Sequence, residues 1–330
     1  MKKGVLIVIG FFLSPGLLFA EEKTLWKKGD PLPPLTIPMS WPKLEEVEVK
    51  GYAEFQNNVF AYKYDVYNST RNLFPLYHLA VDVRVNPESH PFSTQCVTPQ
   101  HSGTQHDAAI IEAPRVEISG VSSPDKWHPV VLLKPSGTTL YGAWSAGWTG
   151  EGWDLASSLL LRPGEIAGGF TMTTQIPVGI RYFRVEALLN PDFDHGLMNI
   201  PYERHSFYLD SPDFNAEINK GVEYLGKTIA PVAPPEPFTV SSWTTRMEAD
   251  AIEARALGWI KTDKQLSDIM GLIAELKTEE LKKLRNAVKK IERYVLSEKN
   301  KGSMTDEADA LIRLNAQYLL RRSENPGNRD

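Results

Sequence analysis

The sequence predicts an all-β sandwich, immunoglobulin- or fibronectin-like in architecture, followed by a small α-helical bundle. Three observations carry this expectation. Between residues 47 and 227, short apolar runs alternate with polar residues at a period of two, and turn residues separate them. From residue 241 the period changes to three and four, with capping residues ahead of each stripe. Between these regions lies a proline-rich connector, "TIAPVAPPEPFTV" over 228–240, whose backbone should be extended and stiff.

In the β region, "VFAYKYDVYNST" (59–70) puts Phe60, Tyr62, Tyr64 and Val66 on one face and Lys63 and Asp65 on the other. "LAVDVRV" (79–85) sets Leu79, Val81, Val83 and Val85 against Asp82 and Arg84. Further strands are expected at "RVEIS" (115–119), "PVVLL" (129–133), "LYGAW" (140–144), "GFTMTT" (169–174) and "IRYFRVEA" (180–187). The stretch "LRPGEIAGGFTMTT" (161–174) crowds one proline and three glycines ahead of a strand. Pro163 presets φ for the first corner of a type II turn, and Gly164 takes the positive φ of the second. Gly168 and Gly169 then let the strand start close to a neighbour. A phosphate-binding loop would open a helix and carry Lys-Ser or Lys-Thr, which this stretch lacks.

The helical region, 241–322, begins with a helix capped at Ser241 or Ser242. Thr262 and Gln265 form a capping box ahead of a stripe at Leu266, Ile269, Met270, Ile273 and Leu276. Thr278 opens the next helix, with Leu281, Leu284, Val288, Ile291 and Val295 inward. Thr305 caps the last, which turns Ala308, Leu311, Ile312, Asn315 and Tyr318 or Leu319 inward. Residues 323–330 read as a disordered tail.

Residues 1–20 read as a secretory signal peptide: Lys2 and Lys3, the apolar run "GVLIVIGFFL", and cleavage at Ala20. A proline-rich lead-in, 21–46, follows. The apolar run is short for a bilayer span and is broken at Ser14-Pro15-Gly16, so no transmembrane anchor is expected after cleavage. The destination is the periplasm or the cell exterior. A single cysteine, Cys96, excludes an intrachain disulfide. A net charge of -5 argues against nucleic acid as a partner.

Several stretches resemble a pair of modules found in exported bacterial proteins. In the β region these are "YKYDVYNST", "SGVSSPDKW", "LRPGEIAGGFTMTT" and "IPVGIRYF". In the helical region "GKTIAPVAPP", "LGWIKTDKQLSDI" and "MTDEADALIRLNAQYLL" resemble a C-terminal FIMAH-like helical module. The resemblance covers about half of the chain and implies an exported, non-catalytic protein. Residues 86–114 form a longer connection than that pattern implies.

Candidate chemistry falls in four places. The 86–114 loop holds His90, Cys96, His101, His106, Asp107 and Glu112, with His90, His101 and His106 as candidate ligands for zinc or copper. Their spacing matches no tight metal motif, and no other cofactor is expected. "WSAGWTGEGW" (144–153) offers Trp148 and Trp153 as stacking faces for a sugar ring or an apolar partner; Trp144 reads as core. Ser145 lies in the same stretch with no base designated by sequence, and Glu151, Asp154 and Glu165 read as turn acids. Lys282, Lys283, Arg285, Lys289, Lys290 and Arg293 read as a solvated helix face. The expected function is therefore that of an exported, non-catalytic structural or interaction protein, with a protein or cell-surface glycan as partner. A carbohydrate-binding module using Trp148 and Trp153, and a metal-dependent enzyme built on the 86–114 loop, stand as alternatives.

Overall fold

The computed structural model describes residues 44–83, 118–122, 127–130, 143–146, 148–149, 152–153, 160–187 and 221–325, together with strands at 22–25 and 35–38. The chain divides into two compact units, Met1–Trp41 with Leu189–Ser211, and Pro42–Leu188 with Pro212–Asp330. In the first, the described residues form an antiparallel hairpin of β1 (Glu22–Leu25) and β2 (Leu35–Pro38), within the stretch read as an extended lead-in. Everything below concerns the second unit.

That unit holds two antiparallel sheets followed by helices. The strands are β3 (Val47–Gln56), β4 (Val59–Asn68), β5 (Leu76–Val81), β6 (Gly120–Ser122) and β7 (Trp127–Val130). They continue with β8 (Ala143–Ala146), β9 (Trp148–Thr149), β10 (Gly152–Trp153), β11 (Ile166–Thr174), β12 (Val178–Ala187) and β13 (Glu223–Pro231). One sheet runs β3-β4-β11-β6 and the other β13-β12-β5-β8-β7, while β9 and β10 pair only with each other. Phe60, Tyr62, Tyr64 and Val66 are all buried, as their alternation requires. The two larger sheets share a core, and Trp127 of β7 meets Phe170 of β11 edge-on at 5.0 Å between ring centroids.

Turn chemistry sets the registers. Asn57 and Asn58 take φ of 51° and 63°, the positive values of a two-residue type I′ hairpin, and β3 and β4 pair along their full length. At the Pro163-Gly164 corner, Glu165 N donates to Arg162 O at 3.0 Å and Gly164 has φ of 87°. The type II turn is thus formed as expected. Gly168 and Gly169 fall in a bulge between Ala167 and Phe170, where a side chain on residue 168 would strike Asp65. Asn68, expected in a turn, is fully buried. Its Nδ2 donates to Phe74 O at 3.1 Å and Leu161 O at 2.9 Å, and its Oδ1 accepts from Asn72 at 2.7 Å.

Some boundaries differ from expectation. Residues 228–231, read as connector, complete β13, and Pro231 is tolerated because β13 is an edge strand. The strand expected at 115–119 begins at Gly120 within the described residues, and the one at 129–133 begins earlier, at Trp127.

The helices are α1 (Val240–Ala256), α2 (Asp263–Glu275), α3 (Leu281–Asn300), α4 (Asp306–Asp309) and α5 (Asn315–Glu324). A π-helical turn, Ala310–Leu314, joins the last two. The α1 cap is Thr239 rather than Ser241 or Ser242. Thr239 Oγ1 accepts from Ser242 N at 2.9 Å, and Ser242 Oγ accepts from Thr239 N at 2.9 Å. Phe238 before the cap packs on Trp243 at 5.6 Å, a hydrophobic staple that sets the entry of the helix. The Thr262–Gln265 box and the Thr305 cap form as expected. Thr278 caps a turn by accepting from Glu280 N, so α3 starts later and Leu281, at its first position, stays exposed. Ala308, Leu311, Ile312, Asn315, Tyr318 and Leu319 are all buried. The wider π turn lets Ala310, Leu311, Ile312 and Leu314 all turn inward. None of the described helices is long and apolar enough to cross a membrane.

The helices are tied to sheet backbone by polar side chains. Arg246 of α1 donates to Val178 O at 2.9 Å and to Val232 O and Ala233 O at 3.2 Å. Asn315 Nδ2 also donates to Val178 O at 2.9 Å, while its own carbonyl accepts from Trp243 Nε1 at 3.0 Å. Gly51 N, on edge strand β3, donates to Glu307 Oε1 at 3.1 Å, which covers part of an otherwise unpaired edge.

Candidate functional site

Strand β12 alternates apolar and charged residues. Phe183 and Val185 enter the core, so Arg184 and Glu186 take the opposite face. That pattern ordinarily marks a solvated face, yet Arg184 is 8% exposed, Glu186 9% and His78, their neighbour on β5, 5%. Burying charge is costly unless it is paired and hydrogen-bonded. Arg184 Nη2 lies 2.8 Å from Glu186 Oε1, and its Nη1 lies 3.7 Å from Glu223 Oε1 on β13. Tyr77 completes the pairing of Glu186 by donating its hydroxyl to Oε2 at 2.6 Å. The register between β5 and β12 shifts between Glu186 and Ala187, leaving Tyr77 as the extra residue. Such a bulge re-aims a side chain, which accounts for adjacent Tyr77 and His78 both serving this face, their rings 6.1 Å apart.

The pairing extends across the whole sheet. Glu223 pairs in register with Glu186, Glu186 with His78, His78 with Ser145 on β8, and Ser145 with His128 on β7. One rung therefore reads Glu-Glu-His-Ser-His over five strands. The next reads Leu225, Arg184, Ala80, Ala143 and Val130. Trp127 is buried against Phe170 on the core side, and His128 follows it along β7. Chemically this face sets a guanidinium, two carboxylates and a phenol in one network, with the His78 imidazole beside it and a second histidine position beyond Ser145.

A concave feature lies between edge strands β3 and β13 and the helices. This groove of about 660 Å³ is lined by Tyr52, Tyr224, Lys227, Leu257, Trp259 and Lys299, among others. Lys227 sits 4.8 Å from the centre of the Tyr182 ring and pairs with Glu253 at 2.5 Å, while Lys299 pairs with Asp306 at 2.5 Å and Asp309 at 3.1 Å.

The residues expected from sequence fall as follows. Trp148 and Trp153 are register partners on β9 and β10. Trp144 pairs in register with Leu79, on a core rung. His90, His101, His106 and Cys96 lie outside the described residues, as do Glu151 and Asp154. Glu165 belongs to the turn, where its carboxylate accepts from Arg162 N at 2.8 Å. Among the described residues, no three His, Cys, Asp or Glu side chains converge as a metal-binding group. On α3, Lys283, Arg285 and Lys290 pair with Glu280, Glu324 and Glu275, as a solvated face would. The Arg184–Glu186 row was missed because its alternation is that of an ordinary exposed strand face. The signal present in sequence was the pair of unlike charges two positions apart, flanked by Phe183, Val185 and Ala187.

Comparison of the chain with protein-family models, with curated proteins and with solved structures found no match.

Proposed function

We propose that the chain is an exported, non-catalytic structural or interaction protein. In this reading its two sheets form a sandwich of immunoglobulin or fibronectin type, and a FIMAH-like helical module is seated against it. The reading is carried by the junction groove, where Tyr52, Tyr224 and Trp259 stand among Lys227, Lys299 and Asp306. Aromatic residues are enriched at binding surfaces, whose rims are polar. Glu307 of the helical wall accepts from Gly51 N of β3, and Arg246 and Asn315 tie the helices to β12 backbone outside the groove, which favours a preformed surface whose binding needs little ordering. The Trp127–Phe170 contact supports the sandwich. Export is tested by intact mass: mature protein from the periplasm or the medium should begin at Glu21. Binding is tested by co-isolation from the protein's own cells. Replacing Trp259 and Tyr224 by alanine should release a partner that the wild-type chain retains. Equal recovery with both chains would place binding elsewhere.

A carbohydrate-binding reading is favoured by the register pairing of Trp148 with Trp153, which sets two aromatic residues side by side on one short ladder. Trp148→Ala should then abolish retention on an insoluble glycan and leave thermal stability intact. A collapse in stability would assign that residue to packing instead.

A further inference from the structure

Helices α2 and α3 run antiparallel, with Glu275 meeting Lys290 at 2.5 Å, Asp268 meeting Tyr294 at 3.3 Å and Gln265 meeting Glu298 at 2.7 Å. Between them lies an open groove of about 800 Å³, within the range of small-molecule sites. Gly271, well inside α2, lines it. A glycine there destabilises a helix relative to alanine. Packing within the chain does not call for it, because a side chain at position 271 would meet nothing within 4 Å. The space it leaves open belongs to the groove.

The charges around that space are unevenly matched. Lys290 is paired with Glu275 and Lys301 with Glu298, so these four cancel. Arg293 lines the groove as well. Its one polar contact among the described residues is from Nε to Lys289 O at 3.2 Å, and it has no carboxylate partner there. A guanidinium with its outer N–H groups free is a planar fork for a carboxylate. Around it stand the hydroxyls of Ser267 and Ser297, the Asp268 carboxylate as an acceptor, and the Tyr294 ring. Donors, acceptors and one aromatic ring about a single unpaired cation match a sugar ring that carries one carboxylate. A partner helix would need a row of apolar anchors, and Leu272 is the sole aliphatic residue among the described residues lining the groove. A polyphosphate would be repelled by Asp268, Glu275 and Glu298.

We propose that the α2–α3 groove binds a carboxylated sugar unit of an acidic polysaccharide, with Arg293 holding the carboxylate and Gly271 leaving room for the ring. The site is separate from the junction groove, and it stands whether or not that surface takes a protein partner.

The full chain is passed over agarose carrying polygalacturonate, alginate, hyaluronate, neutral dextran or inorganic polyphosphate. Salt at about 0.15 M screens charges more than about 8 Å apart. At least one acidic polysaccharide should retain the chain, and dextran and polyphosphate should not. Arg293→Gln should weaken that retention by about tenfold or more. Gly271→Leu should abolish it while melting at or above the wild-type temperature, since the new side chain enters open space and a helix glycine is removed. Lys282→Gln removes an equal charge from α3 outside the groove and should bind as the wild type does. Retention by none of the acidic polysaccharides, or equal retention by polyphosphate, overturns the proposal. So does unchanged binding by Arg293→Gln or by folded Gly271→Leu. A loss in Lys282→Gln as large as that in Arg293→Gln would assign the attraction to diffuse charge and also overturn it. Should Gly271→Leu fail to fold, Arg293→Gln against Lys282→Gln decides.

Discussion

Asp250 makes a prediction that can be worked through from the structure. It sits on α1 one turn beyond Arg246, with its Oδ2 3.5 Å from Arg246 Nε and both side chains about 15% exposed. Burial pushes its carboxyl up from the ordinary 3.8 to about 6, against the lowering influence of Arg246 and, more weakly, Arg181; the Glu253 charge adds to the rise. Burial likewise lowers the Arg246 guanidinium, so desolvation outweighs the pairing on both sides. A carboxyl that holds its proton more tightly in the folded chain stabilises the fold when protonated. That contribution is fully present below about pH 4 and is lost as pH rises through about 6. At about 1.36 kcal/mol for each pH unit, the difference amounts to about 3 kcal/mol. Other acids act in the opposite sense at lower pH. Hydrogen bonds from Lys301, Gln265 and Ser303 hold Glu298 well below the usual carboxylate range, and Arg313 and Lys299 lower Asp309 although burial opposes them. The readout is therefore the difference in unfolding free energy between wild type and Asp250→Asn, from urea titrations between pH 4 and 7. The wild type should lose about 2–3 kcal/mol relative to the variant across that window. A difference that stays constant with pH would refute the reasoning.

Three further substitutions test the local physics. Gly164→Ala, at φ of 87°, should cost about 1 kcal/mol in urea unfolding, and no cost would remove the type II corner from the account. Thr262→Ala removes one half of a capping box and should cost about 1 kcal/mol, with Thr262→Ser recovering most of it. Asn68→Ala removes the amide hydrogen bonds to the Phe74 and Leu161 carbonyls and the one from Asn72, although Leu161 O keeps Leu76 N and Asn72 Nδ2 keeps Glu46 O, and should cost about 2–4 kcal/mol; a loss below about 0.5 kcal/mol would mean that water replaces the amide there.

What was legible in the sequence was local. The alternation of β4, the Pro163-Gly164 corner, the Thr262 and Thr305 caps and the inward stripe from Ala308 to Leu319 each follow from residues within a few positions of one another. The α1 cap was misplaced because two serines compete with Thr239, and the staple between Phe238 and Trp243 decides among them. The first residues of the connector join a sheet because Thr228, Ile229 and Ala230 find Arg181, Ile180 and Gly179 across the ladder, a pairing that local composition does not reveal. The charged row was illegible for the same reason. Glu223, Glu186, His78, Ser145 and His128 come from five strands, and only the sheet order brings them onto one rung.

The central claim is that the junction groove is a binding surface, and site-specific photo-cross-linking tests it most directly. A photoreactive residue at position 259 lies in the groove, and one at position 296 replaces Leu296, 57% exposed on α3. Irradiation of cells exporting each chain should give a discrete adduct from position 259 and none from position 296. Adducts of equal yield from both positions, or from neither, would contradict the account.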